Sequence, residues 1–341
     1  MIRRVADLRV ALVAAALASM TLSGGPADAG TPDRAEELLA RARTVASHES
    51  FAGIVEVRWH DDTGAERVER VVARGVEGAF VIGLAARKTV GEGGERYTSA
   101  AGEPSTRWEP VGGRPAPAPG ATWDLEIAGR RRVAERPATV VVARDAEDRV
   151  RAKFSIDRET GQLLRRAVFD ERGRAEHIVR FVTIITGESQ SPPSAVPSVP
   201  GATDVKAPRV LHAVPAGFVS RAEVGPGYEL LGRYRQPDDA VHLYFSDGIF
   251  TLSVFESQGR VDWDGLPAGS ATRVEGLRAR SYSTAAGTIV VWGQSGLVLT
   301  AVGDGPPDAV IAVVADFSGD ADDASWLDDV TGFVLGPFDW E

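Results

Sequence analysis

From Phe51 onward apolar and polar positions alternate with a period of two, the pattern of half-buried β-strands. Phe51, Gly53, Val55, Val57 and Trp59 share one face of the first strand, and Ala52, Ile54, Glu56 and Arg58 share the other. Asp61-Asp62-Thr63-Gly64 carries turn chemistry, and Glu66 to Arg74 returns as a charged, alternating strand. The same reading predicts strands over 79–84, 125–128, 139–144, 151–156, 163–170 and 176–185, with Gly161 and Gly173 at two hairpin turns. Ahead of these strands the period is helical. Ala35, Leu38, Leu39, Ala42, Val45 and Ala46 form one stripe, opened by Thr31 as N-cap and Pro32 at the first helical position. A helix followed by a long meander predicts a curved antiparallel sheet with the helix on one face. Residues 103–121, rich in Pro and Gly, interrupt the meander as a loop.

A second set of strands is predicted over 228–234, 240–245, 250–256, 279–283, 288–293 and 297–302. A helix over 307–317 would turn Val310, Ile311, Val314 and Phe317 inward. Within this set Asp247-Gly248, between β-rich runs, is the strongest short signal for a tight hairpin. Pro192, Pro193, Pro197, Pro200 and Pro208 mark 187–208 as a semi-extended linker. The expected organisation is therefore a signal segment (1–29), a first domain (30–186), the linker (187–208) and a smaller β-rich α+β domain (209–341).

The signal segment rests on Arg3, Arg4 and Arg9, the short apolar run from Val10 to Leu22, and Ala27-Asp28-Ala29 as a small-x-small cleavage pattern. The run is too short to span a bilayer comfortably, so an exported, soluble chain is expected, a retained N-terminal anchor being the alternative. The chain has no Cys, which excludes disulfides, thiolate metal sites and lipid attachment through a cysteine. The net charge of −10 is localised: residues 281–341 contain ten Asp or Glu and no Lys or Arg. Such a field favours a basic partner and opposes nucleic acid, although a solvated acidic end needs no partner at all.

Catalytic chemistry finds little support. Gly293-Gln294-Ser295-Gly296 is one residue short of a nucleophile elbow and sits in strand context. Gly91-Glu92-Gly93-Gly94 lacks the spacing of a phosphate loop and reads as a surface turn. His48, His60, His177, His212 and His242 have no metal-ligand spacing, and His242 reads as a sheet residue on the side of Tyr244. Asp320, Asp322, Asp323, Asp328 and Asp329 lack the glycine and terminal glutamate of a calcium loop. No enzyme activity, cofactor or metal is expected. The better lead is apolar: Phe51, Val55, Val57, Trp59, Phe80, Ile82, Trp108 and Trp123 would line a cavity for an acyl chain, the alternative being ordinary core.

With the segments placed, the chain resembles the RseB/MucB family of extracytoplasmic sigma-factor regulators. The likeness rests on the run from Ala128 to Ala138, on Phe154 to Arg165, and on the strand ending near Phe181. In the second domain it rests on Pro215-Ala216-Gly217-Phe218, on His242 to Phe255 and on Thr288 to Gly293. Residues 99–121 and the acidic stretch past Asp304 depart from the family pattern. The resemblance implies an unclosed antiparallel β-barrel, a half-barrel packed on a helix and similar to LolA-type carriers, plus a compact second domain. It further implies binding and protection of the outer part of a membrane-spanning anti-sigma factor, released by a lipidic signal. Asp320, Asp322, Asp323, Asp328 and Asp329 are then the candidate partner surface. The competing expectation is a lipid or lipoprotein carrier of the LolA type.

Overall fold

The computed structural model describes residues 34–48, 51–76, 79–84, 87–91, 94–98, 117–186, 209–236 and 239–318. The first helix, α1 (Arg34–His48), begins with Glu36 and Glu37 in its first turn, where acids suit the helix dipole. Its buried face is Ala35, Leu39 and Ala42, with Leu38 packed at the margin, in line with the predicted stripe. Thr31 and Pro32 lie outside the described residues.

Ten strands follow: β1 (Phe51–His60), β2 (Glu66–Val76), β3 (Ala79–Leu84), β4 (Arg87–Gly91), β5 (Gly94–Thr98), β6 (Asp124–Val133), β7 (Arg136–Arg144), β8 (Val150–Asp157), β9 (Leu163–Phe169) and β10 (Ala175–Thr186). Eight of them form one antiparallel sheet in the order β3-β2-β1-β10-β9-β8-β7-β6, while β4 and β5 pair as a separate hairpin. The join between β1 and β10 brings the first and last strands together in the middle and, among the described residues, leaves β3 and β6 at the edges. Register shifts between Ile54 and Val55, Ile127 and Gly129, and Ser155 and Ile156 are bulges, which bend a sheet and raise its twist. The sheet is thus curved and unclosed.

Nine more strands make the second sheet: β11 (Arg209–Val210), β12 (Glu223–Val224), β13 (Tyr228–Arg235), β14 (Val241–Ser246), β15 (Thr251–Gln258), β16 (Ser270–Val274), β17 (Leu277–Thr284), β18 (Gly287–Gln294) and β19 (Leu297–Gly303). Their order is β11-β13-β14-β15-β19-β18-β17-β16, with β12 beside β13. Helix α2 (Pro307–Ser318) packs Val310, Val313, Val314 and Phe317 inward, and the Phe317 ring meets Trp292 edge-on at 5.8 Å. Ile311, expected among the inward residues, is only half-buried: spacings of three, four and seven from Val310 select Val313 in its place. Among the described residues no helix is long and apolar enough to cross a membrane.

The short strands β4, β5, β11, β12 and β16 were not predicted, being too brief or too polar to show a period. Gly293-Gln294-Ser295-Gly296 forms the β18–β19 hairpin, with Ser295 and Gly296 at φ of 49° and 77°, and so provides no nucleophile elbow.

Candidate functional site

Asp247 and Gly248 do not form the two-residue hairpin expected of them. Ser246 pairs with Thr251, so the β14–β15 connection is a four-residue loop, 247–250. The Asp247 N–H donates to the Phe250 carbonyl at 3.3 Å, and two side chains complete the closure. Asp247 Oδ1 accepts the N–H groups of Ile249 (2.8 Å) and Phe250 (2.7 Å), and Ser246 Oγ donates to the Phe250 carbonyl at 2.8 Å. An aspartate that satisfies two backbone donors is an Asx-turn, which outcompetes the tighter hairpin here.

This loop is buried, although hairpin tips normally face solvent. Gly248 has φ +90°, and a Cβ on it would come within 2.6 Å of the Pro117 carbonyl oxygen. Ile249 enters the first sheet unit and lines, with Leu39, Ala42 and Arg43 of α1 and Phe154, Leu163 and Arg166, a cavity of about 30 Å³. Phe250 meets Trp123 edge-on at 5.4 Å, and the Arg166 guanidinium lies over its ring at 5.1 Å.

Polar contacts surround this apolar contact. Arg166 Nη1 donates to Asp304 Oδ2 at 2.6 Å, its Nη2 donates to the Asp304 carbonyl, and Asp304 Oδ1 accepts the Thr251 N–H at 2.7 Å. Arg151 bridges Asp145 (3.2 Å) and Asp308 in the first turn of α2 (2.5 Å). His177 Nε2 donates to the Ala285 carbonyl at 2.7 Å, and the Ser283 N–H donates to Asp62. Burial, reinforced by the Arg166 charge and opposed by the Ala285 carbonyl, lowers His177 to about 4, so the ring is neutral near pH 7. Burial drives Asp247 up to about 7, and Asp304 adds to this against the two backbone N–H groups. Trp123 Nε1–H also favours the Asp247 charge, although it meets hydrogen-bond geometry with no acceptor among the described residues. Burial lowers Arg43 to about 10 despite Asp247 and Glu36 nearby.

Of the apolar residues proposed to line a ligand cavity, Phe51, Val55 and Val57 are buried on β1, with Phe51 edge-on to Phe181 at 5.5 Å. Trp59 is half-buried at the margin of this core, and Trp123 sits at the junction with the 247–250 loop. Phe80 and Ile82 fall on β3, with their side chains outside the described part, and Trp108 lies outside the described residues. Asp320, Asp322, Asp323, Asp328 and Asp329 also lie outside them. His242 behaves as expected of a sheet residue: it stacks on Phe255 at 4.4 Å and its Nε2 meets Ser253 Oγ at 2.9 Å. No cluster of three metal-ligating side chains occurs among the described residues. Sequence reasoning missed the Arg166–Asp304 and Arg151–Asp308 pairs. No local signal links partners 138 and 157 residues apart.

A curved, unclosed antiparallel sheet carrying one helix, docked through a buried loop onto a second antiparallel sheet, defines a strand-built protein with a continuous core. The sequence model of the MucB/RseB N-terminal domain matches residues 34–200, and through that half the chain belongs to the RseB/MucB family. Among solved structures, MucB in complex with the periplasmic part of MucA is similar at 18% identity and a TM-score of 0.44, covering 82% of this chain and 96% of that one. The Pseudomonas aeruginosa MucA/MucB complex gives 20% identity and 0.43 over 82% and 96% of the two chains. A LolA-superfamily protein from Nitrosomonas europaea gives 7% and 0.19 over 79% and 90%. A search of curated proteins returned no match.

Proposed function

We propose that the chain is an extracytoplasmic negative regulator, exported through its N-terminal segment, that binds the outer domain of a membrane-spanning anti-sigma factor and shields it from proteolysis. Membership of the RseB/MucB family across residues 34–200 carries this reading. Shielding needs occupancy and no chemistry, because a protease must draw its substrate into the cleft as an extended strand. The division into 30–186, 187–208 and 209–341 belongs to the same proposal, with the acidic end as the dock for a basic stretch of the partner.

The junction supports a route for a lipidic signal. A cavity of about 30 Å³ beside Ile249 holds one water-sized guest, far short of what an acyl chain fills. An acyl chain extending into this cavity would press on Ile249, and through it on the contact between the sheets. A near-complete swing from bound to released partner requires about 5 kcal/mol of preference for the partner-free form.

Affinity capture from detergent-solubilised envelopes tests the reading. It expects a single-span anti-sigma protein, eluted as ionic strength rises. Recovery of acyl lipid at near-stoichiometric levels with no such protein would replace the regulator by the carrier.

A further inference from the structure

The face of the first sheet turned away from α1 carries a row of cations. Phe154 and Arg166 are register partners and line the cavity beside α1, so the neighbouring pair, Ser155 and Arg165, points to the opposite face. Register continues that row across the strands: Ser155 opposite Arg165, Arg165 opposite Arg180, Arg180 opposite Glu56. Opposed residues bring their Cβ atoms to about 5 Å. Arg131 joins from β6: it stands opposite Ala138, which stands opposite Asp157, two residues along the same face from Ser155.

The carboxylates of this face are already engaged. Glu56 is roofed by Arg58, Arg70 and Arg180, at 2.7, 2.7 and 2.8 Å. Asp157 pairs with Arg136 and accepts the N–H groups of Glu159 and Thr160. Among the described residues neither Arg131 nor Arg165 has an acidic partner. Beneath them Ser155 is fully buried, and among the described residues its hydroxyl has no hydrogen-bond partner. A buried hydroxyl is normally satisfied, so this one has a donor to offer to an acceptor. Burial, together with the charges of Arg131 and Arg180, lowers Arg165 to about 10: its charge stands at a cost that no acid of the described chain offsets.

We propose that Arg131, Arg165, Arg180 and Ser155 form a binding site for a phosphate-type oxyanion on the outer face of the first sheet. Planar guanidinium groups offer paired donors to a tetrahedral oxyanion, and the serine hydroxyl supplies one more from the floor. Arg180 turns Nε and Nη2 to Glu56, leaving Nη1 for the ligand. The site lies opposite the sheet junction and does not depend on the partner proposed above.

Calorimetric titration of the full chain with inorganic phosphate, against chloride at matched ionic strength, tests the site. Saturable phosphate binding without chloride binding is expected, weakened about tenfold or more in Arg165→Gln and in Ser155→Ala, and unchanged in Arg273→Gln on β16. Without phosphate, Arg165→Gln should melt no lower than the parent, since the substitution relieves like-charge crowding; a structural arginine would melt lower. Equal heats from phosphate and chloride, or undiminished binding by Arg165→Gln, would overturn the proposal. Arg165-dependent sedimentation with phosphatidylcholine vesicles containing phosphatidic acid would assign the phosphate to a lipid headgroup. Phosphate binding without it would assign a soluble phosphate.

Discussion

Single side chains set the pH response of this protein. His177 and His242 are held neutral by burial, each near 4, whereas burial holds Asp247 and Glu256 near 7. Between about pH 4.5 and 6.5 the unfolded chain takes up protons on the two histidines that the fold refuses, so their contribution to stability rises with pH. Over the same window the fold keeps protons on the two acids that the unfolded chain has released, so theirs falls. The opposing slopes predict a nearly flat stability profile there. Asp247→Asn keeps the oxygen that caps Ile249 and Phe250 but removes the titration. Its stability should climb through the window and exceed the parent by about 2–4 kcal/mol above pH 7, read from urea unfolding at several pH values; parallel profiles would disprove it. Val57, fully buried on β1, makes a second test. Val57→Asp should cost about 3 kcal/mol or more, and an unchanged melting temperature would refute the register.

The elements show why some of the fold was legible in the sequence and some was not. Strands such as β10, β14 and β15 were found because a buried face imposes a period of two, and β18 and β19, buried on both faces, because they read as apolar runs; of β6, exposed along most of its length, only 125–128 was legible. The polar edge strand β16 and two-residue strands such as β11 and β12 have no such face to reveal. The residues lining the junction were the least legible: Arg166, Arg151 and Asp304 look like surface charges until distant strands bury them. Asp-Gly read correctly as a turn and wrongly as its type, because Asp247 spends its oxygen on two N–H groups. Its position against Pro117 separates two costs. Gly248→Ala meets both a positive φ and the Pro117 carbonyl, whereas Gly296→Ala has φ +77° and open space. Gly296→Ala should therefore cost about 1 kcal/mol and Gly248→Ala clearly more, about 2–4 kcal/mol, by chemical denaturation. Equal losses would place the 247–250 loop in solvent.

At the scale of the molecule, one apolar cluster runs from α1 and the first sheet into the second sheet and α2. An interface of this kind couples the unfolding of its two sides, since exposing either bares the other. The described chain should melt in a single cooperative transition by calorimetry. Ile249 is the place to uncouple it, being buried between α1 and β8–β9 while belonging to the second sheet. Ile249→Glu puts an unpaired carboxylate into that crevice without altering either sheet's own core, so the single transition should split in two. Arg166→Leu acts differently. It leaves Asp304 buried without its guanidinium, an uncompensated charge expected to cost about 3–5 kcal/mol, much of which the double variant Arg166→Leu, Asp304→Leu should restore. If Ile249→Glu keeps one transition at a lower temperature, the second sheet depends on the first for its stability, and displacement of the loop by a lipid would unfold it rather than set it free.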